Sequence, residues 1–307
     1  MASSIIILIA VAGKSHALDK VLNSLTQCKK PDNYRGTIVI ENGIKYNAES
    51  IVRKYESVLT AEYLYFPRGN KSAALNYALN NIDDPTTLIF FTDDDGYIEK
   101  NTLLGYESAS REISSRHFFG GSMKVEYEKT PPAWLKDSLP PSAKGWEPNG
   151  NDDYLSTPRF LGINWAAFAG DVKRLGGFNE NLGPGTKPKR TGQEWDMQNK
   201  MLKAGFNAVY VENAVAWHYV PKEKCSLGWL IKRRFQNGFG AGISFVESKG
   251  RKEFPLEIVK PFIKSCILLP VNLFSLSRAR MVVSLSHFSL GLGGIKGYFT
   301  AYFSNKF

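Results

Sequence analysis

Four short apolar runs constrain this chain most: 4-SIIILIAV-11, 37-TIVI-40, 62-EYLYF-66 and 86-TTLIFF-91. They are rich in β-branched and aromatic residues, as strands buried on both faces of a sheet require. Between them lie 16-HALDKVLNSLTQC-28, 48-AESIVRKYES-57 and 70-NKSAALNYALNNI-82, where apolar residues recur at helical spacing. Strand and helix alternate, which predicts an α/β domain with a mostly parallel central sheet flanked by helices. Such sheets bind ligands beyond the carboxyl ends of their strands.

The pattern continues less regularly. A helix is expected over 100–114 and a strand over 118–127. Residues 129–160 then hold six prolines and two tryptophans and read as a long ordered loop or lid. Regular structure resumes at 163-INWAAFAGDVKRLGGF-178. After the loop 183-GPGTKPKRTG-192, a helix at 193-QEWDMQNKMLKAG-205 closes on Gly205, and a strand is expected at 208–220. We expect residues 1–220 to form one domain, with a ligand-binding half at 1–115 and a second half at 116–220. Residues 221–307 form a helical C-terminal region.

Charge separates these parts. Residues 221–307 hold fourteen Lys and Arg against four Asp and Glu, so the whole net charge of +10 lies there; the first 220 residues carry 25 of each sign. Such asymmetry points to an anionic surface, either nucleic acid or membrane. The runs 261-PFIKSCILLPVNLFSLS-277 and 281-MVVSLSHFSLGLGGI-295 are apolar but interrupted by Pro, Lys, His or Gly, and each falls short of a spanning helix. They read as interfacial amphipathic helices or as helices packed on the protein. Nucleic-acid binding would interleave basic and aromatic residues on one surface, whereas this tail has long apolar runs. The N-terminal apolar segment lacks a basic leader and reads as the first strand rather than a signal peptide. Cys28, Cys225 and Cys266 are scattered without a CxxC pair, which argues against a disulfide framework or a cysteine zinc site and fits a reducing compartment.

The fourth apolar run ends in 90-FFTDDDGYI-98. One aspartate would suffice to cap a turn. Three at the carboxyl end of a strand suit a hard divalent cation, Mn²⁺ or Mg²⁺, which takes oxygen ligands and is often shared with substrate phosphates. Glu194 and Asp196 lie two apart on the late helix and do not face the same way. Either could be simple helix-terminal charge. A lone histidine such as His218 is more often structural than a ligand. Arg233 and Arg234 suit a solvated helix face slightly better than diphosphate neutralisation. Trp134, Trp146 and Trp165 could stack on sugar rings or pack in the core or a lid. The run 238-GFGAG-242 follows no strand and is not a dinucleotide fingerprint.

Five segments in order resemble the family-two glycosyltransferases: 40-IENG-43, 69-GNKSAALNYAL-79, 91-FTDDDGYI-98, 192-GQEWDMQNKMLKAG-205 and 217-WHYV-220. The likeness extends over most of residues 1–240. It implies the Rossmann-like GT-A fold and an inverting, metal-dependent transfer from a nucleotide sugar, most often a UDP-sugar. The triple aspartate is then the DxD element. By this resemblance Glu41 would bind the base, Lys71 or nearby Arg68 the base or diphosphate, and Asp93 the ribose. Asp95 and His218 would hold the metal, Asp94 would share in donor or metal binding, and Glu194 or Asp196 would be the general base. The loop 11-VAGKSH-16 and the pair Gln193-Glu194 depart from the family pattern, leaving the first base contact and the choice of base open. The acceptor would be a glycan or a lipid-linked sugar, with no nucleic acid involved, at the cytoplasmic face of a membrane that the tail touches. The rival readings are a nucleotidyltransferase acting on sugar phosphates and a non-enzymatic protein that binds nucleic acid or another anionic surface.

Overall fold

A computed structural model describes residues 3–13, 17–112, 116–148, 160–186, 190–250, 255–274 and 277–304. The chain divides into two compact units. The first comprises Met1–Glu126, Gly145–Thr186 and Gly192–Tyr219; the second comprises Tyr127–Lys144, Lys187–Thr191 and Val220–Phe307.

The first unit is α/β. Its opening strands are β1 (Ile5–Ala12), β2 (Tyr34–Asn42), β3 (Ala61–Phe66) and β4 (Leu88–Asp93), linked by helices α1 (Leu18–Gln27), α2 (Ala48–Arg53), α3 (Glu56–Leu59) and α4 (Lys71–Asn80). The expected helix over 48–57 is divided into α2 and α3, where Tyr55 turns its hydroxyl to the Asp19 carbonyl at 3.2 Å. Next come β5 (Gly96–Ile98), α5 (Thr102–Glu112) and β6 (His117–Tyr127). From the proline-rich stretch, only two short helices of the second unit are described, α6 (Ala133–Lys136) and α7 (Pro141–Lys144), with a bridge from Trp146 to Met123 in the first; 149–159 lies outside the described residues. The unit closes with β7 (Trp165–Phe168), α8 (Ala169–Arg174), α9 (Gln193–Lys203) and β8 (Asn207–Val220).

The eight strands form one sheet in the order β3-β2-β1-β4-β7-β6-β8-β5. The half from β3 to β4 is parallel, as the alternating pattern requires, whereas β7 runs antiparallel to both β4 and β6, and β5 antiparallel to β8. Side chains alternate across β1. Ile5, Ile7, Ile9 and Val11 join a core with Leu18, Val21, Leu22 and Leu25 of α1. Leu8 and Ala10 join the opposite core with Leu75 and Leu79 of α4 and Met197 and Met201 of α9. Burial on both faces is why these strands read as continuous apolar runs; each large side chain contributes about 1.5–3 kcal/mol.

The second unit is helical. Its long helices are α10 (Leu227–Lys249), α11 (Leu256–Phe274) and α12 (Arg278–Tyr302). The glycines of 238-GFGAG-242 let α10 and α12 touch backbone to backbone. A Cβ on Gly238 would stand 1.9 Å from the Leu290 carbonyl oxygen, one on Gly242 2.1 Å from that of Gly294, and one on Gly297 2.1 Å from that of Phe239. Arg190 is buried in this unit, donating to Glu247 at 2.9 and 2.7 Å and to Ser244 Oγ at 2.5 Å. Arg234, expected on a solvated face, is instead half-buried and donates to the Ser138 carbonyl at 3.2 Å, because α10 packs this flank inward; burial pushes its pKa down.

Candidate active site

Strands β1 to β4 are parallel, so their carboxyl ends share one edge of the sheet. The chain order reverses there, with β1 lying between β2 and β4, and this leaves a crevice. In register, Val11 of β1 stands beside Glu41 and Ala10 beside Asp93. The Asn42 amide closes the gap between β1 and β2 by donating to the Val11 carbonyl at 2.7 Å.

Glu41 is 1% exposed. Its Oε1 accepts from the Tyr46 amide at 2.7 Å and its Oε2 from the Tyr63 hydroxyl at 2.5 Å. These bonds fix the carboxylate at the end of β2. Carboxylate oxygens hold two lone pairs each, so acceptor capacity is left for a ligand N–H. Neither tyrosine was singled out from sequence; the signal was the aromatic alternation of Tyr63 and Tyr65 on the neighbouring strand.

Lys71 is the first residue of α4. Asn70 caps that helix, its Oδ1 accepting from the Ala73 amide at 3.0 Å while its Nδ2 donates to the Glu180 carbonyl at 2.8 Å. The following loop is tied to the same helix: the Lys71 amide donates to the Pro184 carbonyl at 3.1 Å and Ser72 Oγ to that of Leu182 at 2.6 Å. So held, Lys71 pairs its ammonium with Asp93. Burial works against that charge, but Asp93, with Glu194 and Asp94 behind it, holds the Lys71 pKa above its ordinary range.

Glu194, in the first turn of α9, lines one small pocket together with Lys71, Asp93, Gly162 and Gln193; Glu41 does not line it. A Cβ on Gly162 would lie 3.5 Å from Asp93 Oδ2 and 3.7 Å from the Glu194 carboxyl carbon. Gly162 and Gln193 were also not singled out as site residues. Asp196 is directed elsewhere and pairs with Lys200 at 3.1 Å along the helix. The spacing of two thus separates the carboxylates, as expected for a helix.

The second pair is Asp95 and His218. Strand β5 aligns Gly96 with His218, and His218 Nε2 donates to Asp95 Oδ2 at 3.0 Å. His218 is 7% exposed, and its Nδ1 is buried with no hydrogen-bond partner among the described residues. With its proton on Nδ1 instead, His218 would present Nε2 beside an Asp95 oxygen, giving one oxygen and one imidazole nitrogen. That donor set fits a divalent cation completed by phosphate and water rather than an all-protein cage. No group of three or more His, Cys, Asp or Glu side chains is gathered for a metal among the described residues.

The remaining candidates have different surroundings. Arg68 pairs with Glu180 at the surface. Asp94 is half-buried and close enough to Lys71 to act on its charge. Trp165, a candidate for sugar stacking, is a core residue: it is 1% exposed and stacked on Phe91 with centroids 4.5 Å apart. Trp146 is half-buried, edge-on to Phe160 at 5.6 Å. Trp134 lies in the second unit. Of the loop 11–16, residues 14–16 lie outside those described.

This fold is that of the GT-A glycosyltransferases. One matching structure is the mannosyltransferase PcManGT from Pyrobaculum calidifontis in complex with GDP-Man and Mn²⁺. It is 16% identical with a TM-score of 0.61, over 97% of this chain and 87% of that one. GalNAc-T7 with UDP, GalNAc and Mn²⁺ matches at 10% identity and a TM-score of 0.55, over 81% of this chain and 51% of that one. In sequence, the chain is 27% identical over 229 residues to the succinoglycan biosynthesis protein ExoM of Rhizobium meliloti (strain 1021), covering 72% of this chain and 69% of the relative. No protein-family profile matches.

Proposed function

We propose that this chain is an inverting glycosyltransferase that uses a nucleotide-sugar donor. The observation that carries the reading is the gathering of Lys71–Asp93, Glu194 and Asp95–His218 in the first unit, around the carboxyl end of β4. Matching structures solved with GDP-Man and with UDP and GalNAc support the donor class.

In this reading Glu41 binds the base and Asp93 the ribose. Lys71, charged and held by Asp93, faces the diphosphate, and Asp94 shares in binding the donor or the metal. Arg68 gives up its exposed bond to Glu180 at little cost, since exposed ion pairs contribute about 0–1 kcal/mol. Glu194, rather than Asp196, takes the proton from the acceptor hydroxyl. The acceptor oxygen bonds to the anomeric carbon as the carbon–oxygen bond to the diphosphate breaks, its electron pair leaving on the diphosphate; the anomeric configuration inverts. A positioned base of this kind supplies about 10²–10⁴-fold in rate. A divalent cation, Mn²⁺ or Mg²⁺, bound by Asp95 and His218 would supply positive charge against the leaving diphosphate.

The likeness to a succinoglycan biosynthesis protein supports a glycan or lipid-linked acceptor in polysaccharide biosynthesis. No helix among the described residues is long and apolar enough to cross a membrane. We assign residues 1–220 to catalysis and 221–307 to peripheral contact with the cytoplasmic face of a membrane, as the basic, apolar tail suggests.

The test is hydrolysis of a panel of UDP- and GDP-sugars with and without Mn²⁺ or Mg²⁺. Cleavage of at least one donor, stimulated by metal and lost on Glu194→Gln when an acceptor extract is supplied, is expected. No cleavage of any donor, together with no donor-induced thermal stabilisation, overturns the reading.

A further inference from the structure

The helical second unit holds a cavity of about 1100 Å³, larger than the crevice beside Asp93. It opens between α11, α12 and the segment carrying α6, and its walls divide by chemistry. Trp134, Leu268, Val283 and Leu290 make an apolar lining. Lys260 and Lys264 of α11 and Arg280 of α12 stand at it, against the carboxylates Asp137 and Glu257, and His287 lies among them. Among the described residues none of the three cations takes part in an ion pair. A volume of this size suits a molecule of lipid or cofactor dimensions rather than a single ion.

Two further observations narrow the occupant. First, α11 carries Leu256, Ile263, Ile267, Val271 and Phe274, each more than half exposed, at spacings that place them along one side of the helix. An apolar stripe interleaved with Lys260 and Lys264 is the pattern of a helix lying in a membrane interface. Second, burial together with the charges of Arg234 and Lys264 holds the His287 pKa below its ordinary value. Two cations, Arg234 and Lys264, thus lie close enough to that imidazole to act on its charge.

We infer that this cavity is a seat for one anionic phospholipid of the bilayer, with an acyl chain against Trp134, Leu268, Val283 and Leu290 and the phosphate held by Lys260, Lys264 and Arg280. This deepens the membrane-contact part of the proposed function and rests on no part of the transfer reaction. A bilayer lipid fits because the exposed stripe lies on the same helix as the two lysines. Lipid binding at one defined seat makes attachment depend on headgroup chemistry, which an apolar stripe alone does not.

The intact chain would be titrated by calorimetry with dihexanoyl-phosphatidylglycerol below its micelle concentration. The zwitterionic phosphatidylcholine analogue and inorganic phosphate serve as separate arms. Saturable one-to-one binding of the glycerol lipid, at least tenfold tighter than either comparator, is expected, with an upward shift of the His287 pKa by NMR on binding. Val283→Trp, at a partly exposed lining position, is expected to weaken this binding at least tenfold, as is the triple change Lys260→Gln, Lys264→Gln, Arg280→Gln. If a variant fails to fold, the wild-type comparison of the three ligands decides alone. Absence of saturable binding, equal affinity for the two lipids, equal affinity for phosphate, or a folded Val283→Trp that binds unchanged overturns the seat. Flotation with phosphatidylglycerol vesicles separates the two ideas. A chain that floats without binding the monomeric lipid retains membrane contact and loses the seat, whereas one that does neither loses both. Donor hydrolysis, measured apart, reports on the transfer reaction.

Discussion

His218 Nε2 lies 3.0 Å from Asp95 Oδ2, although 123 residues separate them in sequence. The pairing of β5 with β8 imposes this approach, and Gly96 permits it: a Cβ there would stand 2.1 Å from the Trp217 carbonyl oxygen. Gly96→Ala is therefore expected to push the strands apart and lower Mn²⁺ affinity by about 10–100-fold, as Asp95→Asn and His218→Ala should directly. Metal titration of donor hydrolysis measures this, and chelation should abolish the activity of the unmodified protein. A Gly96→Ala chain with unchanged metal dependence would separate the ladder from the site.

Lys71 yields a prediction about pH. A lysine whose folded pKa is raised contributes stability that is complete below its unfolded pKa, about 10.4, and lost only as pH rises through the folded value. Lys71→Met leaves Asp93 without its partner and should destabilise by about 2–4 kcal/mol, below the figure for a fully buried pair because Asp93 retains some solvent. The difference from wild type should stay flat between about pH 6 and pH 9. Denaturant unfolding of both proteins across that range tests it; a gap that narrows between pH 7 and pH 9 counts against the assignment.

Arg190→Ala removes a buried guanidinium from Glu247 and Ser244. About 2–4 kcal/mol of lost stability is expected, the upper range being limited because Glu247 is partly solvated. Glu247→Gln keeps an acceptor for the guanidinium and should lose less. The two denaturation midpoints give the comparison.

The glycine seam should be intolerant of side chains. Gly242→Val and Gly297→Val each place a Cβ about 2.1 Å from a facing carbonyl oxygen, so the backbones must separate. A loss of about 3 kcal/mol or more is expected, above ordinary overpacking because backbone rather than a side chain is met. Gly228→Ala, which meets nothing nearby, is the control and should be neutral or slightly stabilising. Thermal melts of the three variants make the comparison.

How much could be read from the sequence depended on the range of the interactions. The strands β1 to β4 were legible because a strand buried on both faces must be apolar throughout, and Asp93 to Asp95 were legible as charges at the end of one. The antiparallel half was not, since strand direction depends on pairings such as Phe91 with Trp165 that no local pattern records. Trp165 shows the same limit: a tryptophan's composition suits sugar stacking and core packing equally, and only contact with Phe91 decides. The separation of Glu194 from Asp196 was visible in helical spacing, whereas the approach of Gly162 to Asp93 and Glu194 was not. The tail's charge and apolar character were evident, but the glycine contacts between α10 and α12 and the cavity beside Arg280 required the fold.

The reversal of strand direction between β4 and β7 has a topological consequence. A parallel strand delivers only its C-terminal end to the ligand edge. Because β7 runs the other way, its N-terminal approach, at Gly162, arrives beside Asp93. A mixed sheet can thus bring incoming and outgoing chain to the same rim, so segments far apart in the gene can vary independently while meeting around a single reacting bond.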